Sequence, residues 1–294
     1  MAENEVDEVT GVETTGHEWD GIKELDTPMP RWWLWTFYAT IVFSIGYIIW
    51  YPAIPLLNAS TMGISGHTNR LELKNEMASV ASQRSEKIAM LAEQDFAEIR
   101  KDENLMRFAT AGGGSMFKVY CSQCHGSGAQ GGPGYPNLND DDWLWGGDLD
   151  AIYKTIAHGV RSAEDDDTRE SLMPAFGADG ILETEQINAV TEFVLNISGQ
   201  EHDAALALEG KGIFEEQCSA CHGETGAGDR ELGAPNLRDA ISLYGNTRPT
   251  IRAQIRQPKH GAMPPWLARL DEAGVKQLAI YVHSLGGGEE ADPE

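Results

Sequence analysis

One five-residue pattern occurs twice and uses every cysteine in the chain: Cys121-Ser122-Gln123-Cys124-His125 and Cys218-Ser219-Ala220-Cys221-His222. The surroundings repeat as well. Gly114-Ser115-Met116-Phe117 leads into the first motif and Gly212-Ile213-Phe214 approaches the second. Pro136-Asn137-Leu138 recurs as Pro235-Asn236-Leu237, and Met173-Pro174 as Met263-Pro264. Amphipathic stretches, Glu185 to Ile197 and Glu272 to Leu285, close the two copies, with Phe193-Val194 matching Tyr281-Val282. The repeat predicts two copies of one domain of about 90 residues, which restricts the possible folds more than any bulk property of the chain.

C-x-x-C-H is the attachment sequence for c-type haem. Two thiols three positions apart on a helical turn can each form a thioether to one of two adjacent haem vinyl groups. The next residue, His125 or His222, is thereby aimed at the iron. A zinc ribbon needs its cysteine pairs ~15–20 residues apart, whereas most of a domain separates Cys124 from Cys218. A thioredoxin-like dithiol leaves both histidines unexplained, and no βαβ pattern surrounds them.

A haem that shuttles electrons needs a sixth ligand, and a methionine thioether raises its potential relative to a second histidine. Met173 and Met263 are the candidates, because each is followed by proline and stands between its motif and a final helix. Met62, Met77, Met90 and Met106 fall in the linker, and Met116 lies too near its motif. His158 and His260 are rivals whose surroundings do not repeat. The simplest expectation pairs each methionine with the histidine of its own copy, although two tandem domains could exchange their methionine loops. The carbonyls of Pro136 and Pro235 are candidate acceptors for the second N–H of each ligating imidazole.

Residues Trp32 to Leu57 carry no charge. At 1.5 Å per residue such a run reaches ~39 Å, enough to cross a hydrocarbon core of ~30 Å. Trp32, Trp33 and Trp35 at one end, with Trp50 and Tyr51 near the other, match an interfacial aromatic belt. Pro52 and Pro55 are expected to stop the helix. The long polar stretch before the run sets it apart from a cleaved signal peptide, so a retained anchor is expected. Lys23 and Arg31 precede the span and the next basic residue is Arg70, which predicts a cytoplasmic N-terminus.

The expected organisation is therefore an acidic N-terminal segment over 1–30 and a transmembrane helix over 31–57. A helical linker follows over 58–110, ending at Gly112-Gly113-Gly114. The two domains occupy 111–200 and 205–288, and an acidic tail occupies 289–294.

The 22 Lys+Arg against 46 Asp+Glu give a net charge of −24, which excludes a polyphosphate-binding role. Residues 111–200 hold 14 acidic and four basic side chains, whereas residues 209–285 hold nine of each. This asymmetry predicts a partner for the first copy, a basic donor protein docking near Asp140–Asp142 and Glu164–Asp167.

Further residues carry a family resemblance. They are His17-x-Trp19-Asp20-Gly21-Ile22-x-Glu24 and Pro28-x-Pro30-Arg31-Trp32-Trp33 before the span, and Tyr51-Pro52 after it. They continue with Gly134-Tyr135-Pro136-Asn137-Leu138, Asp142-Trp143-Leu144-Trp145-Gly146-Gly147 and Met173-Pro174-Ala175-Phe176-Gly177. Each copy resembles a class I cytochrome c domain. The whole resembles the membrane-anchored di-haem subunit of bacterial cbb3-type haem–copper cytochrome c oxidases. The resemblance implies a mainly α fold, with one N-terminal transmembrane helix followed by two tandem class I cytochrome c domains.

It further implies two covalently bound haem c groups, on Cys121 and Cys124 and on Cys218 and Cys221. His125, Met173, His222 and Met263 would be the axial iron ligands. The subunit would sit in the bacterial inner membrane with its haem domains periplasmic. It would pass electrons from a donor cytochrome c to a mono-haem subunit and on to the haem–copper subunit that reduces oxygen and pumps protons. It would not be an enzyme by itself and would have no catalytic residue. The competing reading is a membrane-anchored di-haem peroxidase, which needs one haem with an exchangeable site.

Overall fold

The computed structural model describes residues 5–239 and 241–290; the ends of the acidic N-terminal segment and of the acidic tail lie outside them. The chain divides into two compact units, Met1–Gln83 and Arg84–Glu294.

In the first unit, β1 (Thr14–Trp19) and β2 (Ile22–Leu25) pair antiparallel. Their turn is Asp20-Gly21 with φ of 49° and 83°, the Asp-Gly signature of a tight hairpin. The next element, α1, spans Arg31–Trp50 and buries none of its residues within the unit. Its hydroxyls turn inward, as an apolar solvent demands: Thr36 donates to the Trp32 carbonyl, Thr40 to Phe37 and Ser44 to Thr40. Twenty residues reach about 30 Å, one hydrocarbon core. The helix stops short of the expected Leu57. Pro52 cannot continue it, and the carbonyls of Ile49 and Trp50 instead accept from Ile64 and Ser65 in a returning loop.

The second unit departs most from the expected organisation. The end of α2 (Asn69–Glu93), α3 (Phe96–Lys101) and α4 (Glu103–Met116) do not form a spacer. Leu91, Phe96, Ile99, Leu105 and Ala109 lie in a buried core together with Phe117, Ile152, Ile156, Val275 and Leu278. The stretch Gly112-Gly113-Gly114 does not end a helix either. A Cβ on Gly113 would stand 2.1 Å from the Gln277 carbonyl oxygen, so the glycine lets two backbones cross closely.

That crossing partner belongs to the other copy. After its motif the first copy contributes α6 (Leu149–His158) and α7 (Thr184–Ile197). The second contributes α8 (Ala204–Gln217), α10 (Arg248–Arg256) and α11 (Leu267–His283), while the short helices α5 (Ser122–His125) and α9 (Ser219–His222) hold the motifs. Both α4 and α6 pack on α11, whereas α8 and α10 pack on α7. Phe117 meets Tyr281 at 5.4 Å between ring centroids, and Phe214 meets Phe193 at 5.0 Å. A Cβ on Gly210 would stand 2.0 Å from the Ala189 carbonyl oxygen, the counterpart of Gly113 on α11.

Packing thus runs across the expected segments 111–200 and 205–288. The first module joins roughly 103–170 to 261–288, and the second is the intervening 171–260. The two copies have exchanged their C-terminal halves.

This exchange removes the charge asymmetry. Grouped as folded, each module holds 13 acidic and seven basic side chains, net −6. The acidic stretch through α7 packs with the neutral second copy, and Glu192 pairs there with Arg248 at 2.6 Å. Net charge therefore gives no reason to prefer the first module as a docking face. The start of the expected tail is also part of the fold: Glu289 accepts from the Gly147 N–H and pairs with Arg230 at 2.8 Å.

Candidate haem sites

Both motifs sit at a helical turn that ends in a left-handed glycine. Gly126 has φ of 82° and Gly223 of 74°, which releases the chain into the following loop. The loops then return in register. The Gly131 N–H donates to the His125 carbonyl at 2.8 Å, and the Gly228 N–H to His222 at 2.9 Å. Leu138 N–H reaches the Ala129 carbonyl and Leu237 N–H the Gly226 carbonyl, both at 2.8 Å. This folding brings Pro136 back to His125 and Pro235 back to His222. The ring Nδ1 atoms lie 3.2 and 3.0 Å from the two proline carbonyl oxygens.

A carbonyl only accepts, so each Nδ1 carries the proton and each Nε2 keeps its lone pair for a metal. Burial holds both imidazoles below the usual histidine pKa, with the proline carbonyl pulling the other way. The neutral, ligating form is favoured.

All four cysteines are free thiols. Burial, and then the neighbouring cysteine, pushes Cys121 and Cys218 up to about 11. A catalytic dithiol requires the opposite shift, so the redox-motif reading fails here.

The methionine loops follow the exchange. Met263 packs on the core of the first module, with Cys121 and Trp266, and Met173 on that of the second, with Cys218 and Phe176. Met263 is held by backbone bonds in both directions to Val160, at 3.0 and 2.9 Å, just beyond α6. The Met173 N–H donates to Nε2 of His260 at 3.1 Å, while Gly177 and Ala178 donate to the Arg256 carbonyl at the end of α10. Each methionine thus packs on the core that holds the other copy's motif, Met263 with Cys121 and Met173 with Cys218.

Both rival histidines are engaged otherwise. His260 accepts from Met173, and His158 Nδ1 lies 3.1 Å from Asp165.

Two thiols, a neutral imidazole and a thioether per module fit a covalently held haem iron. Trp145 adds a second sign of fit: its buried Nε1 is an indole donor with no hydrogen-bond partner among the described residues, and a haem propionate is the acceptor chemistry it lacks. Sequence reasoning cited Trp145 only within the family motif and missed its place. It stands against Gly233, in the loop before Pro235, and Tyr244, 99 residues on, stands against Gly134 before Pro136. The shared offset with Gly134 and Gly233 was the available signal.

Helices crossing around a C-x-x-C-H turn, with a braced imidazole and a methionine on one core, make each module a c-type cytochrome fold. The family model described as cytochrome c oxidase, cbb3-type, subunit III matches residues 108–194 and 205–282. The N-terminal domain of cytochrome oxidase-cbb3, FixP, matches residues 11–58. A Cereibacter sphaeroides protein named cbb3-type cytochrome c oxidase subunit CcoP is 54% identical over 276 residues, covering 94% of this chain and 95% of its own. A Rhizobium etli protein named subunit FixP is 51% identical and covers 98% of this chain and 100% of its own. One from Azospirillum, named CcoP, is 47% identical, covering 98% and 100%.

The chain belongs to the family of cbb3-type cytochrome c oxidase subunit III. It is an electron-transfer component of that membrane-bound oxidase and partners its other subunits, and it is not itself the catalyst. Its cytochrome c domains imply haem c. The peroxidase reading finds no support among these relatives.

Proposed function

We propose that this chain carries two covalently bound haem c groups, each ligated across the two sequence copies. Cys121, Cys124, His125 and Met263 would hold the first, and Cys218, Cys221, His222 and Met173 the second. The observation that carries this reading is the packing of each methionine on the core of the opposite copy's motif.

Bound haem c supplies one-electron chemistry at its iron. The chain's own residues do the rest. The thiols would tether the group, Pro136 and Pro235 orient the imidazoles, and the methionine loops would offer a thioether and exclude other ligands. A closed six-coordinate site suits electron relay and resists bond chemistry.

In this reading α1 anchors the chain in membrane lipid with the N-terminus cytoplasmic, and the haem modules lie in the periplasm. Electrons enter from a donor cytochrome c and leave through a mono-haem subunit toward the haem–copper subunit.

Variants with one haem test the ligand assignment. In a Cys218→Ala/Cys221→Ala chain only the first haem attaches. Met263→Leu is then expected to abolish the methionine–iron charge-transfer band and lower the potential by about 0.1 V or more, within the ~0.8 V range that axial ligands span. Met173→Leu is expected to leave that haem six-coordinate. The reverse outcome would restore ligation within each copy.

A further inference from the structure

The two methionine loops meet at one side chain. Arg161 follows α6 by three residues and takes φ of 49°, a backbone state that residues other than glycine and asparagine rarely adopt. From there its Nε donates to the Gly261 carbonyl at 2.7 Å and its Nη1 to the Ser171 carbonyl at 3.1 Å. Gly261 stands two residues before Met263, and Ser171 two residues before Met173. The guanidinium is half-buried, and that burial works against its charge, with Tyr244 and Glu170 partly restoring it.

Both acceptors are tied further into the sites. Ser171 Oγ donates to the Gly233 carbonyl at 2.8 Å, in the loop that reaches Pro235. The Gly261 N–H donates to the Tyr244 hydroxyl at 2.8 Å.

We propose that Arg161 is a positioning residue for both haem sites, one rigid fork fixing the two methionine loops against each other. The proposal rests on the reading that Met173 and Met263 are axial ligands. The geometry calls for arginine in particular. Two carbonyls on two separate loops are reached by two different nitrogens of one planar group, which a lysine's single ammonium on a flexible stem cannot reproduce with the same rigidity. Among the described residues the repeat offers no duplicate of this clamp. Beyond the end of α10 in the second copy, His260 instead accepts from the Met173 N–H.

The consequence is coupling. A change that loosens one loop removes an anchor of the other, so one substitution should register at both irons although Arg161 is a ligand of neither.

The full-length, haem-loaded chain carrying Arg161→Gln or Arg161→Lys tests this, with the same changes placed in the two single-haem backgrounds so that each signal is assigned. Losing one charge-assisted bond per loop should shift each methionine between docked and undocked states by about tenfold. The expected readouts for Arg161→Gln are a weaker methionine–iron charge-transfer band, new carbon monoxide binding and a lower potential at both haems. Covalent haem content and helical circular dichroism should be unchanged, which a purely structural role would not produce. Arg161→Lys should weaken both sites, each less than Arg161→Gln does.

An effect confined to one haem, or none, would overturn the clamp while Met173→Leu and Met263→Leu still abolish their respective bands. If those methionine variants leave both spectra intact, the ligand assignment itself has failed. Should Arg161→Gln not accumulate, Arg161→Lys decides: impairment at both haems supports the clamp and two intact six-coordinate spectra overturn it.

Discussion

The first and second cytochrome c modules are assembled from the same parts, yet they are stabilised differently. The first has the larger apolar core, because α3 and the end of α2 add Leu91, Phe96 and Ile99 beneath α6 and α11. Lys276 on α11 donates to the Ala92 and Gln94 carbonyls and fastens that addition. The second has no such extra layer; Phe176, Leu182, Ile187, Val190, Val194 and Ile255 make up its buried cluster. Polar devices support it instead. Glu183 and Gln186 cap the start of α7 reciprocally, and the buried Glu192 carboxylate receives the Arg248 guanidinium and the Asp203 N–H. The comparison teaches that duplication kept the haem turn while the supporting shell diverged. Exchange of the C-terminal halves makes each shell depend on both copies.

The most drastic way to break the comparison is to cut it. A chain ending at residue 200 retains one whole copy but lacks α11 and Met263. If the copies closed on themselves, it would fold around one six-coordinate haem. The exchange predicts loss of the methionine–iron band and of cooperative unfolding, read by absorbance and thermal circular dichroism.

A smaller effect separates two glycines on α8. Replacing a helical glycine by alanine usually stabilises by ~1 kcal/mol. Gly212→Ala is expected to follow that rule, since an added Cβ would meet nothing within 4 Å. Gly210→Ala drives a Cβ to 2.0 Å from the Ala189 carbonyl oxygen, so it should destabilise. About 1–3 kcal/mol of overpacking then outweighs the propensity gain. The two alanine variants should therefore shift the melting temperature in opposite directions.

The smallest effect lies at Glu192. Its hydrogen bond from Arg248, chiefly, holds the carboxyl below the usual 4.5. A depressed folded pKa stabilises above the unfolded value and loses that contribution as pH falls through the folded one. Glu192→Gln should cost on the order of 1 kcal/mol at pH 7, discounted because Arg248 is half exposed. The gap between variant and parent should narrow as pH falls below 4.5 and close once it passes the lowered folded value. A gap that stays constant in acid would show that shape, not charge, holds α7 to α10.

Much of this protein is local chemistry, and that part is readable from the chain. The C-x-x-C-H turn needs only neighbouring residues, so haem attachment was legible without a fold. An uncharged run bounded by tryptophans and Pro52 shows an apolar helix, though the proline-stopped end at Trp50 falls short of Leu57. The Asp20-Gly21 hairpin carried an equally local signal that was read only as part of a family motif.

What the sequence alone left undecided is which copy's helix and methionine close which site. Both copies present the same apolar stripe, the same crossing glycine and the same Met-Pro, so the local pattern is degenerate between self-closure and exchange. Only packing distinguishes them: Gly113 against Gln277, Gly210 against Ala189, and Arg161 between the two methionine loops. Those contacts join residues far apart in the chain, and the burial they gain depends on three-dimensional fit that no periodicity records. The same exchange carries Asp179, Glu183, Glu185 and Glu192 into the second module, and with Glu201 and Asp203 counted there as well the net charges of −10 and zero become −6 and −6.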